Sequence, residues 1–213
     1  EAQTRAATIW KVASPAPDDH AYLTRKGIKA HGVRLHKGAL LIPMRADGVI
    51  HSLQFIGEGG DKRFLSGGRV AGCYFSIGDS KGAAALCIAE GFATGATIHE
   101  ATGYPVAVAF NAGNLLAVAK AMREKFPDLP LILCADDDRH TPGNPGLTKA
   151  TEAARAVGGL LVIPEFVLRS CSLSLTARIP PARFAGDVAW ISSSGCSRRS
   201  WLKSALTDRI STI

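Results

Sequence analysis

Between Gly78 and Phe166 the chain alternates short apolar runs with segments of helical periodicity. The apolar runs carry few polar interruptions, which is typical of strands buried on both faces of a parallel sheet. The alternation therefore predicts an α/β unit in which helices flank a parallel sheet on both faces. The predicted strands are 84–89, 105–110, 129–135 and 159–163, and the predicted helices are 92–102, 115–126 and 146–157.

The residues before Gly78 follow a different pattern, typical of antiparallel strands joined by tight turns. Ala39–Arg45 is a run of strand formers, and Val49–Ile56 alternates between apolar and polar residues. The Asp47-Gly48 pair between them favours a hairpin turn. This part of the chain is therefore predicted to be a small, basic β-rich (α+β) subdomain. Shorter elements are predicted here as well, namely strands within 62–65 and 72–77 and a helix within 18–29.

The alternation stops after Phe166. The last 47 residues contain 10 Ser, and 7 Lys/Arg against 2 Asp/Glu, so most of the formal net charge of +7 lies there. No period of two or 3.6 is visible, and we expect a loosely ordered basic tail that ends in a short helix over 199–210. A basic balance favours a polyanionic partner such as nucleic acid. The predicted regions are 1–78, 79–166 and 167–213, the last of uncertain structure.

Composition excludes several classes of protein. The chain has 213 residues, of which 46% are hydrophobic and 20% charged, as in ordinary globular proteins. No stretch approaches the roughly 20 apolar residues of a membrane-spanning helix. The first residues carry neither a secretory signal nor a starting Met. The five cysteines form no CxxC or CxxH pair, which argues against zinc and fits a reducing compartment. We therefore expect a cytoplasmic piece of a longer chain, without a membrane partner.

Acidic residues follow two of the predicted parallel strands. Glu90 comes after the first strand, and Asp136, Asp137 and Asp138 come after the third. Ligands of open parallel sheets bind outside the carboxyl ends of the strands. Carboxylates that converge there repel one another, and a hard divalent cation such as Mg²⁺ relieves the repulsion and suits phosphoryl transfer. The alternative is that these carboxylates cap helices or face water. The presence of both motifs in one α/β unit favours the metal site.

These motifs resemble those of the Toprim domain, which bacterial-type primases, topoisomerases and some nucleases share. Ala85–Gly91 (ALCIAEG) matches the strand-then-Glu-Gly motif, and Leu131–Asp138 (LILCADDD) matches the strand-then-DxD motif. The Gly-Asn-Pro-Gly run at 143–146 is similar to the loop after DxD in plasmid and phage primases. Lys62–Gly68 (KRFLSGG) is similar to a segment in the amino-terminal half of those mobile-element primases. The resemblance covers about residues 18–166.

The resemblance implies a basic β-rich subdomain followed by a Toprim-like parallel sheet. It also implies a DNA primase core that makes short RNA primers from nucleoside triphosphates on single-stranded DNA with Mg²⁺ or Mn²⁺. By motif, Glu90 corresponds to the catalytic acidic residue, which transfers a proton or binds metal. Asp136 and Asp138 correspond to the metal-binding DxD, and Asp137 has a supporting role. A replicative helicase is compatible with this reading as a further partner.

Basic residues cluster near glycines in the first subdomain. Lys62, Arg63 and Arg69 flank Gly-Gly pairs, where the backbone can approach a ligand closely and the cations can contact phosphates. Lys149, on the helix after DxD, is a further candidate for phosphate binding. The alternative for all four is a solvated surface position. The histidines have no partners at metal-ligand spacing, and no role is assigned to them.

Other functions share this pattern in part. A Toprim nuclease would use the same acidic residues, and a topoisomerase would need a tyrosine nucleophile in a cleavage domain, which is not recognisable here. A non-catalytic nucleic-acid-binding module would keep the fold without the metal. A dinucleotide-binding domain is disfavoured because GxGxxG is absent.

The chain also departs from the primase pattern. No amino-terminal zinc module and no helicase P-loop are found. After Pro164-Glu165-Phe166 the acidic segment usual in these relatives gives way to the basic tail. One hypothesis is therefore that 167–213 is an unrelated or frame-shifted end, which leaves primer synthesis by this chain alone open.

Overall fold

The computed structural model describes residues 1–138, 140–166 and 188–193. The helices are α1 (Ala2–Val12), α2 (Ala21–Lys26), α3 (Phe92–Thr102), α4 (Leu115–Lys125), which follows a 3₁₀ turn (Ala112–Asn114), and α5 (Pro145–Val157). The strands are β1 (Ser14–Pro15), β2 (Arg34–His36), β3 (Ala39–Ala46), β4 (Val49–Ile56), β5 (Lys62–Phe64), β6 (Phe75–Ile77), β7 (Leu86–Ala89), β8 (Val106–Val108), β9 (Leu131–Cys134), β10 (Leu160–Phe166) and β11 (Val188–Ser193).

The first sheet is antiparallel and has the order β1-β2-β3-β4-β5. Its centre is the predicted hairpin of β3 and β4, which is confirmed. Asp47 and Gly48 both have positive φ, 51° and 78°, as a tight turn matched to the strand twist requires. His20 caps the start of helix α2, because its Nδ1 accepts a hydrogen bond from the Tyr22 N–H at 3.2 Å. Among the described strands, β5 forms one edge of this sheet and pairs with β4 alone.

The two faces of the first sheet are covered differently. Leu41, Leu53 and Phe55 pack on one face against Ala6 of α1, a helix that the sequence analysis does not predict. Ala6 is the one buried residue of that helix, so its hydrophobic periodicity is weak. Side chains on the other face, among them Ile42, join a core that includes residues of the second sheet. The first sheet is thereby packed directly on the second.

The second sheet has the order β11-β10-β9-β7-β8-β6. All neighbouring strands are parallel except β6, which pairs antiparallel with β8. Alternate residues of β7 face opposite layers: Cys87 and Ala89 pack with α3, and Leu86 and Ile88 pack with α4 and α5. Helices therefore flank both faces of a largely parallel sheet, and the predicted fold class is confirmed.

The carboxyl-terminal part differs from the expectation of a loosely ordered tail. Val188–Ser193 form β11, which pairs parallel with β10 at the edge of the second sheet. The prediction of irregular structure is wrong at these residues, because an edge position in a sheet can be filled by a short segment without a long sequence pattern. The helix predicted over 199–210 lies outside the described residues. The division of the chain at residues 78 and 166 stays a prediction.

Two expectations from composition can be compared with the described part of the chain. Cys87 and Cys134, in apolar strands of the sequence, are buried free thiols on β7 and β9. Among the helices that the structure describes, none is long and apolar enough to cross a membrane.

Asn114, at the start of α4, ties the segment that leads into β6 to the segment that follows β8. Its Oδ1 accepts a hydrogen bond from the Gly72 N–H at 2.7 Å, just before β6. Its Nδ2 donates to the carbonyls of Cys73 at 2.9 Å and Ala109 at 2.8 Å. The side chain is buried, so these backbone groups have no solvent to replace it.

We expect Asn114→Ala to lower the free energy of unfolding by about 2–4 kcal/mol, because buried backbone groups lose their partner. Urea denaturation followed by circular dichroism measures this. The matched variant is Asn111→Ala, which removes a side-chain cap from the 3₁₀ turn at a cost of about 1 kcal/mol. Equal losses in the two variants contradict the assigned role of Asn114.

Candidate active site

The carboxyl ends of β7 and β9 lie side by side, with Ala89 paired to Cys134. From β7 the chain runs through α3 to β8 on one side, and from β9 it runs through α5 to β10 on the other. Adjacent strands whose connections diverge in this way leave a crevice outside their carboxyl ends, where open α/β sheets bind ligands. Glu90 follows Ala89 directly, and Asp136 lies two residues beyond Cys134. The structure thus brings the two predicted acidic motifs together.

The Glu90 carboxylate points into this crevice and is partly withdrawn from water. Its Oε2 is buried and has no hydrogen-bond partner among the described residues. The backbone N–H of Ala112, at the start of the 3₁₀ turn, donates a hydrogen bond to the carboxylate. A buried carboxylate oxygen without a donor is costly, since buried polar atoms are normally paired. The Glu90 carboxylate therefore needs a further positive group or a proton to compensate its charge.

The electrostatic surroundings of Glu90 act in opposite directions. Burial raises the pKa of the Glu90 carboxyl most, and the negative charges of Asp136 and Asp138 raise it further. The Ala112 N–H and the Lys62 ammonium lower it, and the balance leaves the pKa above its usual range. Glu90 is therefore close enough to both aspartates for their charges to oppose its ionisation.

The loop that carries Asp136 and Asp138 is held by the residue that caps α5. The Asn144 Oδ1 accepts a hydrogen bond from the Asp138 N–H at 3.0 Å, and its Nδ2 donates to Asp137 Oδ1 at 2.8 Å. Asp137 thus contacts the residue that holds the loop, and its expected supporting role stays a prediction. Asn144 has a φ of 40°, a left-handed conformation that Asn tolerates better than most residues.

Gly146, in the first turn of α5, lets the acidic loop lie directly on the helix. A Cβ at this position would stand 2.5 Å from the Asp136 carbonyl oxygen and 3.1 Å from Asp138 Oδ2. Any side chain would therefore displace the two aspartates. In the sequence, the Gly-Asn-Pro-Gly run at 143–146 carries part of the resemblance, but no role is expected there for Asn144 or Gly146. Their place directly after the acidic motif is the signal that could have identified them.

The basic residues expected near this site are placed differently from one another. The Lys62 Nζ lies 4.0 Å from the position of a Cβ on Gly91, and its charge acts on Glu90. Arg63, the next residue of β5, lies with its guanidinium carbon 4.5 Å from the centre of the Phe55 ring. Arg69 donates from Nε to the Ala71 carbonyl at 2.8 Å. Lys62 is the one of these three whose charge acts on Glu90.

Lys149 lies one turn into α5 and is half exposed. Its ammonium forms an ion pair with Glu152 at 2.8 Å. This contact is of the kind that surface lysines commonly make on helices. Its predicted role in phosphate binding stays a prediction.

The donor set of the crevice can be compared with what a metal needs. Within the described ranges, no three His, Cys, Asp or Glu side chains stand at the mutual spacing of a formed metal site. Glu90, Asp136 and Asp138 nevertheless offer only oxygen, which hard cations such as Mg²⁺ prefer. The unsatisfied Oε2 of Glu90 is an open ligand position. The chemistry of these residues therefore fits a divalent cation, while their side chains do not stand at the spacing of a formed site.

Comparison with known proteins agrees with this architecture. Residues 84–163 match the family model of the Toprim domain. The chain is 44% identical over 173 residues to a DNA primase TraC of Escherichia coli, with 76% of this chain and 16% of that protein covered. A second DNA primase TraC of Escherichia coli is 43% identical over 171 residues, with 75% and 12% covered. No solved structure matches the chain.

The chain therefore contains a Toprim domain, and the resemblance to Toprim primases seen in its motifs is confirmed. It spans about a sixth or less of the length of the curated relatives it matches. The matched range 84–163 contains Glu90, Asp136 and Asp138 and begins after the first sheet has ended.

We expect Glu90→Gln to raise the melting temperature of the metal-free protein at neutral pH. A carboxyl whose pKa is raised by folding stabilises the fold below its unfolded-state pKa and loses that contribution as the pH rises through the folded-state value. The variant removes the charge, so the wild type should gain stability relative to it on acidification from neutral pH.

Thermal denaturation with a chelator present, from pH 7.5 down to pH 5, measures this difference. Glu124→Gln, at an exposed position of α4, is the control and should melt like the wild type. A Glu90→Gln protein that is less stable than the wild type at neutral pH contradicts the assigned environment of Glu90.

Proposed function

We propose that this chain is the catalytic core of a DNA primase, which joins nucleoside triphosphates on a single-stranded DNA template. The observation that carries the proposal is the buried, unsatisfied Glu90 Oε2 beside Asp136 and Asp138 in a Toprim domain. The similarity to proteins named DNA primase supports primer synthesis over the other activities that Toprim domains serve. The proposed site of action is the cytoplasm, since the similar primases come from a bacterium, and a replicative helicase is a proposed partner.

The proposed cofactor is Mg²⁺ or Mn²⁺, held by Glu90, Asp136 and Asp138. Such a cation neutralises charge on the phosphates and lowers the pKa of the attacking hydroxyl. Three carboxylates that repel one another in a crevice are stabilised by a cation, and their oxygens match its preference. The Asn144 bonds and the close approach of Gly146 keep Asp136 and Asp138 in place for this role.

The proposed chemistry is nucleotidyl transfer. The 3′-oxygen of the primer attacks the α-phosphorus of a nucleoside triphosphate, the bond to the β-phosphate breaks, and diphosphate leaves. A Glu90 oxygen that does not bind the cation accepts the proton of the 3′-hydroxyl, as a general base. Lys62 binds the phosphates from the side of the first sheet, since its ammonium already faces the crevice.

The remaining basic residues keep their proposed role in nucleic-acid binding at the surface. Arg63 and Arg69 lie on or after β5, in the part of the chain that leads from the first sheet to the second. Lys149 lies on the helix that follows the acidic loop. Contacts of this kind would position the template through its phosphates without reading its sequence.

We expect the double variant Asp136→Asn/Asp138→Asn to bind Mn²⁺ at least about tenfold more weakly than the wild type, because two anionic ligands are lost. Isothermal titration calorimetry measures the affinity. Asp128→Asn, which changes an exposed aspartate before β9, serves as the control and should bind as the wild type does. An unchanged affinity in the double variant removes the proposed metal site.

In a priming assay on single-stranded DNA, Glu90→Gln and Asp136→Ala should each reduce primer synthesis by about 10²-fold or more, as loss of a proton acceptor or metal ligand does. The fold should remain intact by circular dichroism. Cleavage of the template in place of synthesis would favour the nuclease. Salt-sensitive DNA binding that ignores Mg²⁺ and both substitutions would favour the non-catalytic module.

Lys62→Met should weaken binding of ATP with Mn²⁺ about tenfold, because a charge-assisted contact to phosphate is lost. Lys120→Met, which removes an exposed lysine of α4, should leave the affinity unchanged. Equal affinities of the Lys62 variant and the wild type show that the ammonium does not contact the nucleotide.

A further inference from the structure

Phe64 exposes its ring at the edge of the first sheet. The side chain is 39% exposed, and of the large apolar side chains exposed in the described residues it is the aromatic one, the others being Val12, Val49 and Leu160. A single exposed apolar residue is ordinary on a protein surface. Phe64 differs from the other three because it lies close to the acidic crevice.

Phe64 lies on the same side of β5 as Lys62. Successive side chains of a strand point to opposite faces, so Lys62 and Phe64 share one face and Arg63 takes the other. The two residues are about 7 Å apart along the strand. The Lys62 ammonium lies beside Gly91, and its charge acts on the Glu90 carboxylate. The Phe64 ring therefore lies beside the crevice, two residues further along the strand than Lys62.

Phe110 fixes the Phe64 ring from the second sheet. The two rings meet edge to face, with centroids 6.4 Å apart and planes at 82°. Phe110 is nearly buried and follows β8, the strand next to β7. Two residues later, Ala112 donates its N–H to Glu90. The short segment 110–112 thus contacts both the Phe64 ring and the Glu90 carboxylate.

The backbone of Phe110 adopts an unfavourable conformation to do this. Its φ is 74°, in the left-handed region that a bulky side chain rarely enters. The preceding residue is fixed on both sides: the Ala109 N–H donates to the Ala89 carbonyl at 2.8 Å, and the Ala109 carbonyl accepts from Asn114 Nδ2 at 2.8 Å. Such strain persists where the surroundings over-determine it, often at ligand sites.

We propose that the exposed ring of Phe64 is the surface on which a nucleobase stacks while its phosphates lie at Lys62 and the acidic crevice. This inference rests on the proposed function and adds to it the residue that holds the base. A phenyl ring offers stacking without hydrogen bonds, so it accepts all bases alike. That property suits an enzyme that must join all four nucleotides.

The nucleobase can come from the incoming nucleoside triphosphate or from the template strand. Both present the same flat aromatic face, and they differ in how their phosphates are linked. Titration of the full chain with ATP and Mn²⁺, and separately with an oligothymidylate, distinguishes the two sources. Inorganic tripolyphosphate with Mn²⁺ is the ligand that carries the phosphates without a base.

We expect Phe64→Ala to raise the Kd for ATP, for the oligothymidylate, or for both by about tenfold, within the range measured for loss of one stacked base. The Kd for tripolyphosphate should stay unchanged. Phe64→Trp should retain binding, and its fluorescence should be quenched by the ligand whose base stacks. Val49→Ala, at another exposed apolar position, should behave as the wild type.

Unchanged Kd values for both ATP and the oligothymidylate in Phe64→Ala overturn the proposal, and so does an equal loss of tripolyphosphate affinity. These outcomes leave the metal site and the proposed function standing. A wild-type chain that binds none of the three ligands overturns the proposed function, and this inference with it. Because Phe64 is exposed, its variants should fold, and their melting temperatures verify it.

Discussion

The Glu90 carboxylate enters a crevice that offers it little compensation. Burial and the charges of Asp136 and Asp138 oppose its ionised form, and the Ala112 N–H and the Lys62 ammonium favour it. One of its oxygens has no donor among the described residues. Two states relieve this arrangement, a protonated Glu90 or a bound cation. The proposed metal binding and the proposed proton transfer would each produce one of these two states.

Both sheets of the molecule contribute residues to this crevice. The second sheet supplies the carboxylates at the diverging ends of β7 and β9. The first sheet supplies β5, whose Lys62 and Phe64 face the same place. Their relative position is fixed by a core that side chains of both sheets share. A site built from two sheets in this way depends on packing far from the reacting atoms.

The parts of this site that could be predicted from the sequence are those with a local pattern. Apolar strands that end in acidic residues are visible in the chain, so Glu90, Asp136 and Asp138 could be proposed together. The different positions of Lys62, Arg63 and Arg69 could not be predicted from the sequence. They depend on the alternation of side chains along a strand and on which edge of the first sheet meets the crevice. Phe64 and Phe110 are far apart in sequence, and only the packing of the two sheets brings them together.

The main proposal is that the cation and the nucleotide bind together in the acidic crevice. Its most direct test is anomalous diffraction from crystals of the chain grown with Mn²⁺ and ATP. We expect a manganese peak within about 2.0–2.6 Å of carboxylate oxygens of Glu90, Asp136 and Asp138, the range for hard cations, with phosphate oxygens beside Lys62. A manganese ion bound elsewhere, or no ion at these carboxylates, would contradict it.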